Sequence, residues 1–235
     1  MEEAWWRRPS TLPLFMLIFA VLIISFGGAI RIHDAGESCP DWPKCFGTYG
    51  FDISEDEQAA YWEENPDEID SRGADHRYTV FEIFLEWFHR ALVGVIAIPV
   101  LLNVVVAKRK IDFYGSTNFR TSIFIAVLLC VQAIAGAITV FYDNADWSVA
   151  LHLSLASIFT ASILWQYMLT RVKEGAKWRF LEVAHNFKEK YRKKFDLTAI
   201  SVLILLILGA WVSSTAGGQY NHCLLYTSPS PRGRG

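Results

Sequence analysis

Residues 86–107 read EWFHRALVGVIAIPVLLNVVVA, with an acid, an imidazole and a guanidinium in the first five positions and an almost unbroken apolar run behind them. About 20 apolar residues cross a bilayer core of roughly 30 Å as a helix, and with the apolar residues from 80 onward this stretch qualifies. Four more blocks qualify: 12–32, 121–142, 147–170 and 197–217. The 235-residue chain is 52% hydrophobic and 14% aromatic, more apolar mass than a soluble domain of this size hides. The expected fold class is all-α, a multi-pass transmembrane helical bundle with a four-helix half over 1–170 and a fifth span. The first block is too long for a signal-peptide core and no small-residue cleavage site follows it, so it reads as a retained span.

The net charge of −2 conceals a segregation. Arg7 and Arg8 precede span one, Lys108, Arg109 and Lys110 follow span two, and 171–194 is densely basic. Lys and Arg mark cytoplasmic loops, so the N-terminus is expected inside and the acidic loop 33–79 outside. That loop carries SEDEQAAYWEENPDEID over 54–70 and suggests no chemistry; it reads as a flexible or partner-facing insert. In the connector 171–196, Phe180, Ala184, Phe187, Tyr191 and Phe195 recur at helical spacing among Lys and Arg. This reads as an amphipathic helix on the anionic inner leaflet or, equally, as a plain connector with His185 solvated. The basic residues cluster at the span ends, which implies lipid and not nucleic acid as their partner.

Cys39 and Cys45 flank PDWPK directly after span one, on the side expected to permit a disulfide. Free thiols or metal ligands are the alternative, although His33 alone does not complete a zinc set. A short bridge exposed on that loop would be prone to exchange. Cys130 reads as apolar filling in span three.

An ionisable residue inside a span is a functional hypothesis. Glu86 and His89 are three apart and share a helical face. His152 enters span four from the same side, and at about 1.5 Å per residue the two histidines stand at similar depth. Two imidazoles facing across a bundle suit a haem iron with two axial ligands; unrelated histidines bonded to backbone are the plainer alternative. Ser154, Ala156, Ser157, Thr160 and Ala161 leave room for a flat ligand beside His152 or for close helix approach. Glu86 reads as a proton or water carrier, or as a helix-start carboxylate paired with a basic residue. Arg90 and Arg31 could each fork onto a haem propionate or snorkel to water. Gln132 is a candidate polar contact in the bundle, Gly136 and Ala137 favour close packing, and Pro99 is a candidate kink.

Four stretches carry a resemblance: GGAIRIHDAGESCPDWPKC over 27–45, EWFHR over 86–90, VQAIAGAITV over 131–140 and LHLSLA over 151–156. Together they resemble haem A synthase, the membrane enzyme of cytochrome oxidase assembly, over most of residues 12–170. The resemblance implies two related four-helix halves, each with a histidine pair for one haem. This half would hold substrate haem O through His89 and His152, and a haem b in the other half would relay electrons. It implies oxidation of a haem O methyl through an alcohol to the formyl of haem A, with Glu86 as the acidic residue near the substrate. It also implies that Cys39 and Cys45 are the outer-loop pair, handling electrons or the haem. The implied partners are haem O, the haem O synthase that supplies it and the oxidase assembly machinery, with oligomers open. The implied site is a prokaryotic plasma membrane. An electron-transfer cytochrome b and a haem-delivery factor are the rival readings.

Gly28, Ala29, Ala35 and Gly36 correspond at one offset to Gly209, Ala210, Ala216 and Gly217, so 197–222 reads as the first helix of a second half. The rest of that half, with its histidine pair, is expected to be missing beyond about His222. The stretch CLLYTSPSPR within 223–235 reads as a translated library adapter or as a short polar tail.

Overall fold

Helix α3 (Val80–Arg109) starts on a capping box: Thr79 accepts from the Glu82 N–H, and the Glu82 carboxylate accepts from the Thr79 N–H, which satisfies two of the donors a helix start leaves open. It runs unbroken through Pro99 and ends on Lys108 and Arg109, cations that suit a helix C-terminus. The chain is seen here in a computed structural model that describes residues 8–176 and 185–214, with side chains of the second stretch from 189 to 212. The other helices described are α1 (Thr11–Ile32), α2 (Glu55–Glu64), α4 (Ile111–Tyr114), α5 (Ser116–Phe141), α6 (Asp146–Lys173) and α7 (His185–Ser214). Gly115, at φ +88°, makes the break between α4 and α5, a conformation that favours glycine.

Five of these helices, α1, α3, α5, α6 and α7, are long and apolar enough to cross a membrane. The chain is an all-α multi-pass membrane protein. The described part of helix α7 is already helical from His185, well before the apolar run at 197, because the charged stretch EKYRKKFD contains no helix breaker. Phe180 and Ala184 of the connector, Ala216 and Gly217 of the repeat, and the tail 223–235 lie outside the described residues.

Helices α1, α3, α5 and α6 close into a ring. Helix α1 packs against α3 and α6, and α5 against the same two, so α3 and α6 face each other across the diagonal; α7 packs on the back of α6. The middle of the ring is apolar, filled by Met16, Ala20, Ile96, Val100, Ile125, Leu128, Phe159 and Ile163. At the end where α3 stops, the filling changes to amides. Asn103 Nδ2 donates to Gln166 Oε1 at 2.7 Å, Gln166 Nε2 to Asn118 Oδ1 at 3.3 Å, and Asn118 Nδ2 to Thr170 Oγ1 at 2.7 Å. Each group is buried, and the chain of bonds ties α3, α5 and α6 together without water.

The same end is clamped by Glu174, just past α6. Its carboxylate accepts from the Ser10 N–H at 3.0 Å and the Ser10 hydroxyl at 2.6 Å, and pairs with Arg171 at 3.1 Å. Ser10 caps α1 but makes no side-chain cap bond of its own, so a carboxylate from a different helix supplies the negative charge favoured at that terminus.

At the opposite end the loop between α1 and α3 is a folded lobe, not the flexible insert its composition suggested. Cys39, Cys45, Phe46, Ile53, Trp62, Tyr78 and Ile83 form a buried cluster of their own. Gln58 clasps the lobe shut: its Nε2 donates to the Tyr78 carbonyl at 2.9 Å and its Oε1 accepts from the Tyr78 N–H at 2.8 Å. The aromatic residues between the acids supply the apolar area that a disordered acidic stretch lacks.

Burial alone would raise the Glu174 pKa, but the Ser10 and Arg171 donors outweigh it and hold it below the usual carboxylate value. A depressed folded-state pKa contributes stability in full above the unfolded value of about 4.3, and that stability is lost as pH falls through the folded value. Glu174→Gln is therefore expected to cost about 1 kcal/mol at neutral pH, the usual worth of a helix cap, and to flatten the acid limb of the stability profile. Melting of the detergent-solubilised protein against pH checks this, and parallel wild-type and variant profiles would refute it.

Candidate functional site

The ring carries its two interior histidines at the lobe end, on the diagonal helices. His89 lies in the third turn of α3, and His152 in the second turn of α6. Each ring rests on a glycine of a flanking helix. A Cβ on Gly27 of α1 would stand 3.4 Å from His89 Cε1, and one on Gly136 of α5 would stand 3.1 Å from His152 Cε1. Gly27 lies five residues before the end of α1 at Ile32, and Gly136 five before the end of α5 at Phe141. The pairs α1–α3 and α5–α6 thus present an imidazole over a glycine in matching positions.

The hydrogen bonding of the rings bears on whether they can hold iron. His89 Nδ1 is buried with no partner. A buried ring nitrogen left open is what a metal-ligating histidine offers. At His152, Gln132 Nε2 lies 3.2 Å from Nδ1, 3.3 Å from Nε2 and 3.0 Å from the His152 carbonyl. Gln132 can release either ring nitrogen and keep the His152 carbonyl through Nε2, while its own Oε1 is buried without a partner. The donor set therefore fits a haem iron bound between α3 and α6.

Glu86 and Arg90 do something else. Both Glu86 oxygens are engaged: Oε1 by Arg90 at 2.5 Å, Oε2 by the Cys39 N–H at 2.9 Å and the Ser38 hydroxyl at 3.1 Å. Of the roles open to it, the carboxylate paired with a basic residue is the one this arrangement displays. The Arg90 fork donates to the carbonyls of Asp41 and Lys44 at 2.5 Å each and of Cys39 at 2.8 Å. Arg31 is exposed in the last turn of α1.

Cys39 and Cys45 are joined in a disulfide. The bridge is not exposed, as its loop position suggested: the two residues are 0% and 1% accessible, because the lobe folds over them. Cys130, expected as filling, is a free thiol on an exposed face of α5. A cleft of about 730 Å³ opens elsewhere, between α5, α6 and α7, along Arg120, Phe124, Trp165, Leu203 and Leu206; Ser157 and Ala161, expected to make room beside His152, line this cleft, and neither histidine does.

Three participants escaped the sequence reading. Gly27 was visible only as half of a GG pair, Ser38 as a serine beside a cysteine, and Asn103 as a lone amide in an apolar helix. The last was a usable signal, since a polar residue at that depth requires a partner.

Comparison with known proteins places this geometry in a family. The family model described as Cytochrome oxidase assembly protein matches residues 10–228. Among curated relatives, the chain is 27% identical to a Heme A synthase of Shewanella oneidensis over 91% of its own length and 58% of the relative's. It is 24% identical to one from Exiguobacterium sibiricum over 88% and 59%, and 26% identical to one from Bacillus pumilus over 84% and 56%. The chain thus spans less than three fifths of the length of these relatives. No solved structure matches it. A family match over nearly all of the chain identifies it as a member of the cytochrome oxidase assembly protein family.

Proposed function

We propose that the protein is the N-terminal haem-binding part of a haem A synthase, an oxidoreductase that converts a methyl group of haem O to the formyl group of haem A. The observation that carries this reading is the pair of glycine-backed imidazoles on the diagonal helices, one with a buried, unpartnered Nδ1. The relatives' name supports the same chemistry.

In this reading His89 and His152 are the axial ligands of the substrate haem, and the glycines beneath them set ring position. Gly27 of α1 backs the His89 ring, and Gln132 steadies His152. Glu86, one turn before His89, is the acidic residue near the substrate that assists proton or water movement. Haem supplies the iron that binds the substrate to the bundle and, as haem b in a second half, the electron relay. Residues 1–170 form the substrate half, 171–196 the cytoplasmic connector, and 197–222 the first helix of the second half. The N-terminus is cytoplasmic, the lobe faces outward from a prokaryotic plasma membrane, and haem O arrives from a haem O synthase for delivery to the oxidase assembly machinery.

Expression of the full-length gene in a host that makes haem O, followed by chromatography and mass spectrometry of extracted haems, tests the assignment. Formyl and hydroxylated haems are expected from wild type and absent from His89→Ala and His152→Ala. Unmodified haem alone from the wild type would replace the synthase reading with that of an electron-transfer cytochrome.

Glu86→Gln is expected to retain haem while conversion falls by at least about 100-fold, the range of a lost general acid–base group; unchanged conversion would remove Glu86 from the chemistry. The glycines give an independent check on the ligand geometry. Gly136→Ala, whose Cβ would stand 3.1 Å from His152, is expected to lower haem content per protein well below that of Gly27→Ala, where the distance is 3.4 Å. Equal haem content in the two variants would separate His152 from the haem.

A further inference from the structure

Three carbonyls of the disulfide ring 39–45, those of Cys39, Asp41 and Lys44, converge on the Arg90 guanidinium at 2.8, 2.5 and 2.5 Å. Backbone carbonyls of successive loop residues normally point in different directions. Gathering them on one cation folds the ring around the end of that side chain. The same guanidinium binds Glu86, whose other oxygen holds the Cys39 N–H and the Ser38 hydroxyl. The ring is thus gripped from the α3 side through both its donors and its acceptors. Trp87 of α3 adds a contact just beyond the ring, its Nε1 donating to the Tyr49 carbonyl at 2.7 Å, and on the loop side the ring is held by the Gly47 N–H on Asp41 Oδ2 at 3.0 Å and by the Cys45–Thr48 backbone pair at 2.9 and 3.1 Å. With the ring seated, Cys39 and Cys45 are buried.

We propose that Arg90 is a positioning residue that seals the Cys39–Cys45 bridge against thiol reductants and holds Glu86 on the loop side of α3. Thiol–disulfide exchange needs a thiolate in line with the S–S bond, and the two sulfurs are covered by the apolar cluster of the lobe, against which the Arg90 contacts hold the ring. Lysine cannot replace it, because a single ammonium on a flexible stem lacks the planar array of donors that meets several oxygens at once. The seal stands on the loop geometry alone; the consequence for Glu86 rests on the function proposed above. Once the seal opens, dithiothreitol reduces the bridge in the ordinary two-electron way. One of its thiolates attacks a cysteine sulfur to give a mixed disulfide, its second thiol displaces the protein sulfur, and Cys39 and Cys45 emerge as thiols beside oxidised, cyclic dithiothreitol.

The test uses the full-length protein in detergent, wild type beside Arg90→Gln and Arg90→Lys, treated with dithiothreitol and quenched with N-ethylmaleimide. Peptide mass mapping scores Cys39 and Cys45 separately from Cys130. The bridge in Arg90→Gln is expected to be reduced at least about tenfold faster than in wild type, as suits loss of several hydrogen bonds to a charged group, and Arg90→Lys is expected to lie nearer the glutamine variant than the wild type. Hydrogen exchange on the same samples separates a latch from general weakening: faster exchange confined to residues 39–48 supports the latch, and equal gains across 53–78 overturn it. Should Arg90→Gln not accumulate, Arg90→Lys decides. A bridge reduced equally fast in wild type and variant overturns the proposal. Because the readout is thiol chemistry, a chain that binds no haem would refute the function proposed above and leave this result intact.

Discussion

Inside a bilayer a polar group has no water to fall back on, so each one must be answered by the protein or stand open at an energetic cost. The diagonal from α3 to α6 shows both outcomes. At one end Asn103, Gln166, Asn118 and Thr170 bond to one another in a chain, and the result is a tie between helices. At the other end His89 Nδ1 and Gln132 Oε1 are buried with no partner. The difference gives physical content to the separation of scaffold from site: a connected polar network fixes the register of the bundle, and buried polar atoms without a partner are left for a ligand. The apolar layer between them, from Met16 to Ile163, insulates the two.

The lobe end depends on α3 in a second way. Its first turns are fixed by the Thr79–Glu82 capping box, and from that fixed start Glu86 and Arg90, one turn apart, both reach the loop while His89 between them turns toward Gly27 of α1. One short segment therefore sets the disulfide ring, the ion pair and the imidazole together. Movement of the ring would be felt at Glu86 and Arg90 directly.

Much of this was legible in the sequence where the signal was local and repeated. Apolar runs of bilayer length gave the spans, and α1 matches its expected limits almost to the residue. The spacing of Glu86 and His89 is a property of any helix and needed no tertiary knowledge. What the sequence withheld were directions and partners. Arg90 has the same letters around it whether it reaches a propionate, water or three carbonyls, and only the fold of the ring decides. That α7 is already helical at His185 was hidden because hydropathy marks where a helix turns apolar and is silent on where it begins. The lobe was misjudged on its acids, although Tyr61, Trp62 and Tyr78 were there to build a core.

The Gln58 clasp has an evolutionary consequence. Because one side-chain amide closes the chain between Gln58 and Tyr78 by imitating a strand partner, the stretch between those residues can vary in length while its two ends stay where they are. The α1–α3 connection is thus a docking port for insertions: descendants could enlarge, shorten or exchange the acidic tip without retuning the bundle beneath it, and a fluorescent or affinity tag placed near Pro66 would exploit the same freedom.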